Sequence, residues 1–196
     1  MTEKAISGGV HPRPLVPYRL SICGLGELPE FAGAGVSHIV SIVDPAWPEP
    51  RCFADYGRHE RYTFHFHDEI VPSVGIELPE PQDIKRLLEV GRHLASARVE
   101  HLLVHCHIGQ SRSTAAAAIL LAQHNPGRED EAFAQVAAVR PRAWPNGLMI
   151  RMADRMLGRG GRFVQALRGH YGHVARRFPE MVDLLRDAGR GDEAPV

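Results

Sequence analysis

The sequence predicts one α/β domain, a central and mostly parallel sheet flanked by helices. Three observations carry that expectation. Through residues 18–123, short apolar and β-branched runs alternate with segments of helical periodicity, the order that lays crossover helices against a parallel sheet. From 129 to 186 only helical segments are read, separated by Arg140-Pro141 and Gly158. The runs 36–43 and 102–104 are nearly continuous in apolar residues rather than alternating, as suits strands covered on both faces.

In chain order, residues 1–17 carry Gly8-Gly9 and several prolines and read as an irregular lead-in. The domain proper is expected over 18–186, and 187–196 reads as a frayed polar tail. Strand candidates are 18–22, 36–43 and 61–67, the last from its alternation of aromatic and polar residues. A short helical turn is expected at 29–32, stopped by Gly33 and Gly35, and a loop over 46–58. Helical spacing of Ile84, Leu87, Leu88 and Leu94 predicts a helix over 81–97, opened by Pro81 and Asp83. A strand at 102–104 is followed by an apolar helix that stops at Asn125-Pro126-Gly127. Glu129, Asp130 and Glu131 sit where the helix dipole favours acids, opening a helix that ends at Arg140-Pro141. Asn146 is the predicted N-cap of another helix, with Met149, Met152, Ala153, Met156 and Leu157 on one face and Gly158 as its stop. One or two helices follow, through Phe163, Leu167, Val174, Phe178, Val182 and Leu185.

Composition narrows the function classes. The chain has 196 residues, 44% hydrophobic and 23% charged, with 23 basic and 23 acidic side chains. A balance of this kind favours neither a nucleic-acid nor a membrane-surface partner. Cys23, Cys52 and Cys106 are odd in number and widely spaced, which argues against a disulfide framework and for a reducing compartment. Residues 1–17 contain no apolar core of signal-peptide length and no stretch is long enough to span a bilayer, so a cytoplasmic location is expected.

The chemistry concentrates at His105-Cys106-His107-Ile108-Gly109-Gln110-Ser111-Arg112-Ser113, between the strand at 102–104 and the apolar helix. A helix N-terminus offers free amides and about half a positive charge, which hold an anion and favour a thiolate. The amides of His107, Ile108, Gly109, Gln110, Ser111 and Arg112 form the predicted phosphate nest, and Gly109 allows the sharp turn. The Arg112 guanidinium can grip two phosphoryl oxygens at once.

A histidine, a cysteine, five residues, an arginine and a hydroxyl residue together resemble the signature loop of the cysteine-dependent protein tyrosine phosphatases. The order of elements over 62–121 is similar to that of the dual-specificity members. Arg140 to Asn146, Arg-Pro-Arg-Ala-Trp-Pro-Asn, is similar to the Arg…Pro-Asn element that follows in them. The resemblance implies a phosphotyrosine-phosphatase-like fold over 18–186 and hydrolysis of phosphate monoesters, phosphoproteins foremost, through a phosphocysteine intermediate. It makes Cys106 the nucleophile, Arg112 the phosphate clamp and Ser113 the donor that eases departure of the sulfur. Dual-specificity phosphatases carry an acid after a strand thirty to forty residues before the nucleophile. Asp68, 38 residues before Cys106 (106 − 68), fits that place, with its neighbour Glu69 as rival and Asp44 and Asp55 as outsiders. No match to the phosphotyrosine-recognition loop of the classical enzymes is present, and no lysine lies inside the signature loop.

Neither metal nor other cofactor is expected. A zinc site drawing on His65, His67, His101, His105 and His107 is the alternative weighed, and His105 is better read as a buried support of the loop. Two other functions stay open on the sequence: a phosphate-binding module without turnover, and a thiol reductase or sulfur transferase using the same anion loop.

Overall fold

The computed structural model describes residues 14–194, so most of the predicted lead-in, with Gly8 and Gly9, lies outside the described residues. Four strands, β1 (Arg19–Cys23), β2 (His38–Val43), β3 (Glu60–His65) and β4 (His101–His105), form one sheet in the order β1-β4-β2-β3. All neighbouring pairs are parallel. The inner strands β2 and β4 are buried along their whole length. Their sequences are mostly apolar, and the polar residues they carry, His38, Ser41, His101 and His105, are buried as well, which places them inside the sheet. The outer strands β1 and β3 keep exposed positions.

Six α-helices are described: α1 (Pro81–Ser96), α2 (Arg112–Gln123), α3 (Glu129–Val139), α4 (Gly147–Met156), α5 (Arg162–Arg177) and α6 (Glu180–Asp187). They lie at the places the periodicity predicts, and the "one or two" late helices are two. Helix α2 is buried from Arg112 to Ala122. Its run of alanines brings it close to β4, with α1, α3 and α4 around it. Asn146 caps α4 as expected, accepting from the amides of Leu148 (3.1 Å) and Met149 (3.2 Å). Of the methionines predicted to share one buried face, Met149 and Met152 are buried but Met156 is exposed, because the helix is already leaving the core at its last turn.

The sheet separates two apolar layers. Val40, Ile42, Leu102 and Val104 join the helices in the larger core, whereas Ile39 and Leu103 face a smaller cluster with Leu28, Phe53 and Tyr56. That second face is covered by the 3-10 turns Leu25–Phe31 and Arg51–Asp55. The sequence predicts a shorter turn at 29–32 and a plain loop at 46–58. Both segments instead supply one buried side chain each, Leu28 and Phe53, which anchor them to the sheet.

Two further expectations are corrected. Strand β3 ends at His65, not His67. One more ladder bond, Phe66 N to Val43 O (3.1 Å), precedes the departure of the chain, and the His67 amide pairs instead with Glu77 O (2.8 Å). That pair closes the neck of loop 68–76. Over its described residues, 187–194, the C-terminal segment is also not a frayed tail. Gly191–Glu193 forms a 3-10 turn, and Arg190 and Glu193 are buried. The Glu193 carboxylate accepts from the Gly147 amide at the start of α4 (2.7 Å) and from Arg190 Nε (2.8 Å). Two opposite charges so close in sequence can enter the interior together, because each satisfies the other.

Candidate active site

The carboxyl ends of β1, β4, β2 and β3 stand in a row, and there the chain places Gly24, Cys106, Asp44 and the segment from Phe66 to Asp68. Ligands of open α/β sheets bind at this end. Cys106, Arg112 and Ser113 are all buried, at 2%, 3% and 0% exposure.

The turn from Cys106 to Ser111 is held from outside by its carbonyls. His107 O accepts from Leu25 N (3.0 Å), Gln110 O from Trp144 N (2.8 Å) and Ser111 O from Asn146 N (3.3 Å). Ile108 O accepts from Arg140 (3.0 Å), whose guanidinium is itself clamped by both oxygens of Glu27 (2.7 and 2.8 Å). Among the described residues, the Gly109 amide has an acceptor within the turn, the Cys106 Sγ at 3.2 Å. Gly109 has φ +77°, and a Cβ on it would come within 2.5 Å of the Cys23 carbonyl carbon. No other residue fits against the end of β1 in that conformation.

Ser113 Oγ lies 3.2 Å from Cys106 Sγ. Arg112 is fixed through one nitrogen: Nη1 donates to Asp44 Oδ1 (2.6 Å) and to Phe66 O (2.6 Å). Its Nε is buried and has no protein acceptor. An unpartnered buried donor on a permanent cation is the feature an anion would satisfy.

Asp68 joins the loop through Ser111, whose hydroxyl donates to Asp68 Oδ1 (2.6 Å). Asn146 Nδ2 donates to the same oxygen (3.1 Å), and Arg190 Nη1 stands 3.5 Å from it while donating to Ser111 Oγ (2.9 Å). Every described contact of this carboxylate falls on Oδ1. Glu69 enters the network only by its backbone carbonyl, which accepts from Asn146 (3.3 Å). Two of the rivals thus reach the loop, Asp68 at Ser111 and Asp44 at Arg112 and His107.

The histidines weighed for a metal do not converge. His105 Nε2 lies 2.6 Å from Ser41 Oγ on the neighbouring strand, and burial pushes its pKa down to about 4. His107 accepts at Nε2 from the Asp44 amide (3.2 Å), and burial and then the Arg112 cation hold its pKa below the ordinary value. His101 is bound to Ser21 Oγ (2.8 Å). Cys52 is half-buried in the smaller cluster, while Cys23, at the end of β1, is the thiol in register beside the His105-Cys106 junction.

Sequence reasoning missed Asp44 as the anchor of Arg112, Glu27 with Arg140 as the support of the loop, and Arg190. The strand-end Asp44-Pro45 was a usable signal, since β2 had to neighbour the signature strand to be buried on both faces. Nothing local marks Arg190, which reaches the site only because the chain folds back after α6.

The comparisons with known proteins bear on the fold. The crystal structure of human DUSP28 matches with a TM-score of 0.55 and 19% identity, over 78% of this chain and 96% of that one. The Yvh1 phosphatase domain from Chaetomium thermophilum matches with 0.55 and 20%, over 77% and 97%. Human tyrosine phosphatase-like serine/threonine/tyrosine-interacting protein matches with 0.55 and 18%, over 74% and 93%. No protein-family model and no curated protein matches the sequence. The fold is that of the dual-specificity phosphatases, a single α/β domain with a parallel four-stranded sheet.

Proposed function

We propose that the protein is a cysteine-dependent phosphatase that hydrolyses phosphate monoesters, phosphoproteins foremost, through a phosphocysteine intermediate. The observation that carries this reading is the buried Nε of Arg112, left without a protein acceptor at the end of the turn that starts at Cys106. The dual-specificity-phosphatase fold supports it. The Cys106 thiolate attacks phosphorus, the bond to the leaving oxygen breaks, and Asp68 gives that oxygen a proton. Asp68 Oδ2 is the oxygen for this work, because the neighbours hold Oδ1. Water then attacks the phosphocysteine, Asp68 takes its proton back from the water, and the S–P bond breaks with Ser113 donating to the departing sulfur. Ester and water become alcohol and inorganic phosphate. The amide nest and Arg112 stabilise the charge spread over the equatorial oxygens. A free thiol is needed throughout, and the three cysteines are free, in keeping with a reducing, cytoplasmic setting. Among the described residues no helix is long and apolar enough to cross a membrane.

One observation favours a second reading, a phosphate-binding module without turnover: Ser111, Asn146 and Arg190 together hold the carboxylate assigned as acid. Hydrolysis of p-nitrophenyl phosphate with and without vanadate separates the two. Vanadate-sensitive turnover that Cys106→Ser abolishes, with phosphate binding retained, is the expected result. Phosphate binding with no turnover by the wild type would establish the second reading.

A further inference from the structure

The amino ends of the strands, opposite the Cys106 loop, hold a cluster that the phosphatase reading leaves unused. His38 opens β2 and Glu60 opens β3, and the two are partners in the parallel register. His93 reaches them from the last turn of α1. Glu60 Oε2 lies 4.0 Å from His38 Nε2 and 3.3 Å from His93 Nε2. The three atoms all lie within 4.8 Å of one another, the only such metal-binding group of histidine, cysteine and acid side chains among the described residues.

The decisive feature is on His38. Its side chain is 6% exposed, and its Nε2 is buried without a hydrogen-bond partner. Its other nitrogen, Nδ1, lies 3.0 Å from Ser37 Oγ. Ser37 Oγ also accepts from the amides of Glu100 (3.0 Å) and His101 (3.2 Å), so the His38 ring is fixed at its Nδ1 edge. Nε2 stands 4.0 Å from the Glu60 carboxylate, beyond a hydrogen bond. A neutral imidazole with its proton on Nδ1 can offer that buried, unpartnered Nε2 to a cation shared with Glu60. Glu60 is oriented for that part by Tyr62, whose hydroxyl donates to Oε2 (2.9 Å). Outer partners of this kind fix the ligands of metal sites. The carboxyl end of α1 adds its own negative potential at His93.

We propose that His38, Glu60 and His93 bind one divalent transition-metal ion of the zinc class. Two imidazoles and a carboxylate suit such an ion in tetrahedral coordination, with water in the fourth place. Ligand distances of about 2.0–2.2 Å set the ligand atoms roughly 3.3 Å apart. Glu60 and His93 already meet that spacing, and their exposed side chains are free to close on the buried His38. The ion would staple the edge strand β3 and the inner strand β2 to the end of α1. Its role is structural, and it does not depend on the phosphatase reading.

The test uses the full chain without a polyhistidine tag, stripped with chelator and titrated with Zn²⁺ by calorimetry and with Co²⁺ by visible absorption. Expected are one equivalent of tightly bound metal, the d–d bands of a four-coordinate Co²⁺ site without thiolate charge transfer, and a rise in Tm of about 5–10 °C at a hundredfold excess over Kd. Glu60→Gln and His93→Ala, both at exposed positions and so compatible with folding, should each weaken binding by roughly 10–100-fold and cut the rise at the same metal concentration to about half or less. Cys106→Ser should leave all of this unchanged. Metal uptake by the double variant Glu60→Gln/His93→Ala equal to that of the wild type would overturn the proposal. So would loss of uptake in Cys106→Ser, or no uptake at all.

Discussion

At the scale of single residues, the site turns on how each polar atom is committed. Arg112 spends one nitrogen on Asp44 and Phe66 and keeps another unpartnered. Lysine in its place has no second edge with which to meet a phosphoryl group. Arg112→Lys should therefore weaken phosphate binding and lower kcat together, read by phosphate titration and steady-state kinetics. Near-wild-type values in both would make the arginine a scaffold residue. Asp68 carries a different signature. If it protonates the leaving oxygen, Asp68→Asn should cost about 10²–10⁴-fold on phosphopeptides and much less on activated aryl esters. Equal losses on both substrates would assign the residue to positioning alone, and an effect reproduced by Glu69→Gln instead would move the acid by one residue.

At the scale of elements, the signature turn is shaped by what grips it from outside. Gly109 lies against the end of β1, and a methyl group there meets backbone atoms at 2.5–2.7 Å. Gly109→Ala should shift the nest by enough to cost about a hundredfold or more in kcat/KM, while Gly26→Ala, which has open space around its Cβ position, should leave kinetics intact. Comparable activity in the two variants would refute this account of the turn. The folded-back C-terminal segment is a second such grip. Arg190 and Glu193 are a buried pair, and removing one charge strands the other. Arg190→Met should lower the unfolding free energy by about 3 kcal/mol or more, against less than roughly 0.5 for Arg186→Met, whose ion pair is exposed. Urea denaturation measures both, and indistinguishable midpoints would mean that the segment adds nothing to the fold.

At the scale of the whole molecule, the interior is built with neutral histidines. Burial holds His101, His105 and His170 below the ordinary imidazole pKa, and takes His105 to about 4 from 6.5. Between those two values the unfolded chain binds the proton that the folded chain refuses, so stability is full above pH 6.5 and falls as pH drops toward 4. For His105 alone the loss amounts to at most roughly 3 kcal/mol. Denaturation midpoints measured from pH 7.5 to 4 should show this decline, and His105→Gln should flatten it. A wild-type curve level across that window would contradict the neutral assignment.

The sequence by itself determined the parallel α/β class, the helices, and the place of the Cys106–Ser113 loop at the junction of β4 and α2. Those signals are local: near-continuous apolar runs mark inner strands, heptad-like spacing marks helices, and Cys106 to Ser113 lie within one turn of chain. Asp68 was legible because it follows a strand, although the strand stops two residues sooner, where Phe66 makes the last ladder bond and the neck of the loop closes at His67 and Glu77. Only the tertiary structure decided which carboxylate faces Arg112 and which joins Ser111, since both follow strands and differ only in the neighbour their strand takes. The tail was misread for a related reason. Its polarity is that of a solvated segment until Arg190 and Glu193 are seen to satisfy each other, Asp68, Ser111 and the start of α4. His38, Glu60 and His93 belong to the same class: residues far apart in sequence, silent alone, made into one site by strand register and by where a helix ends.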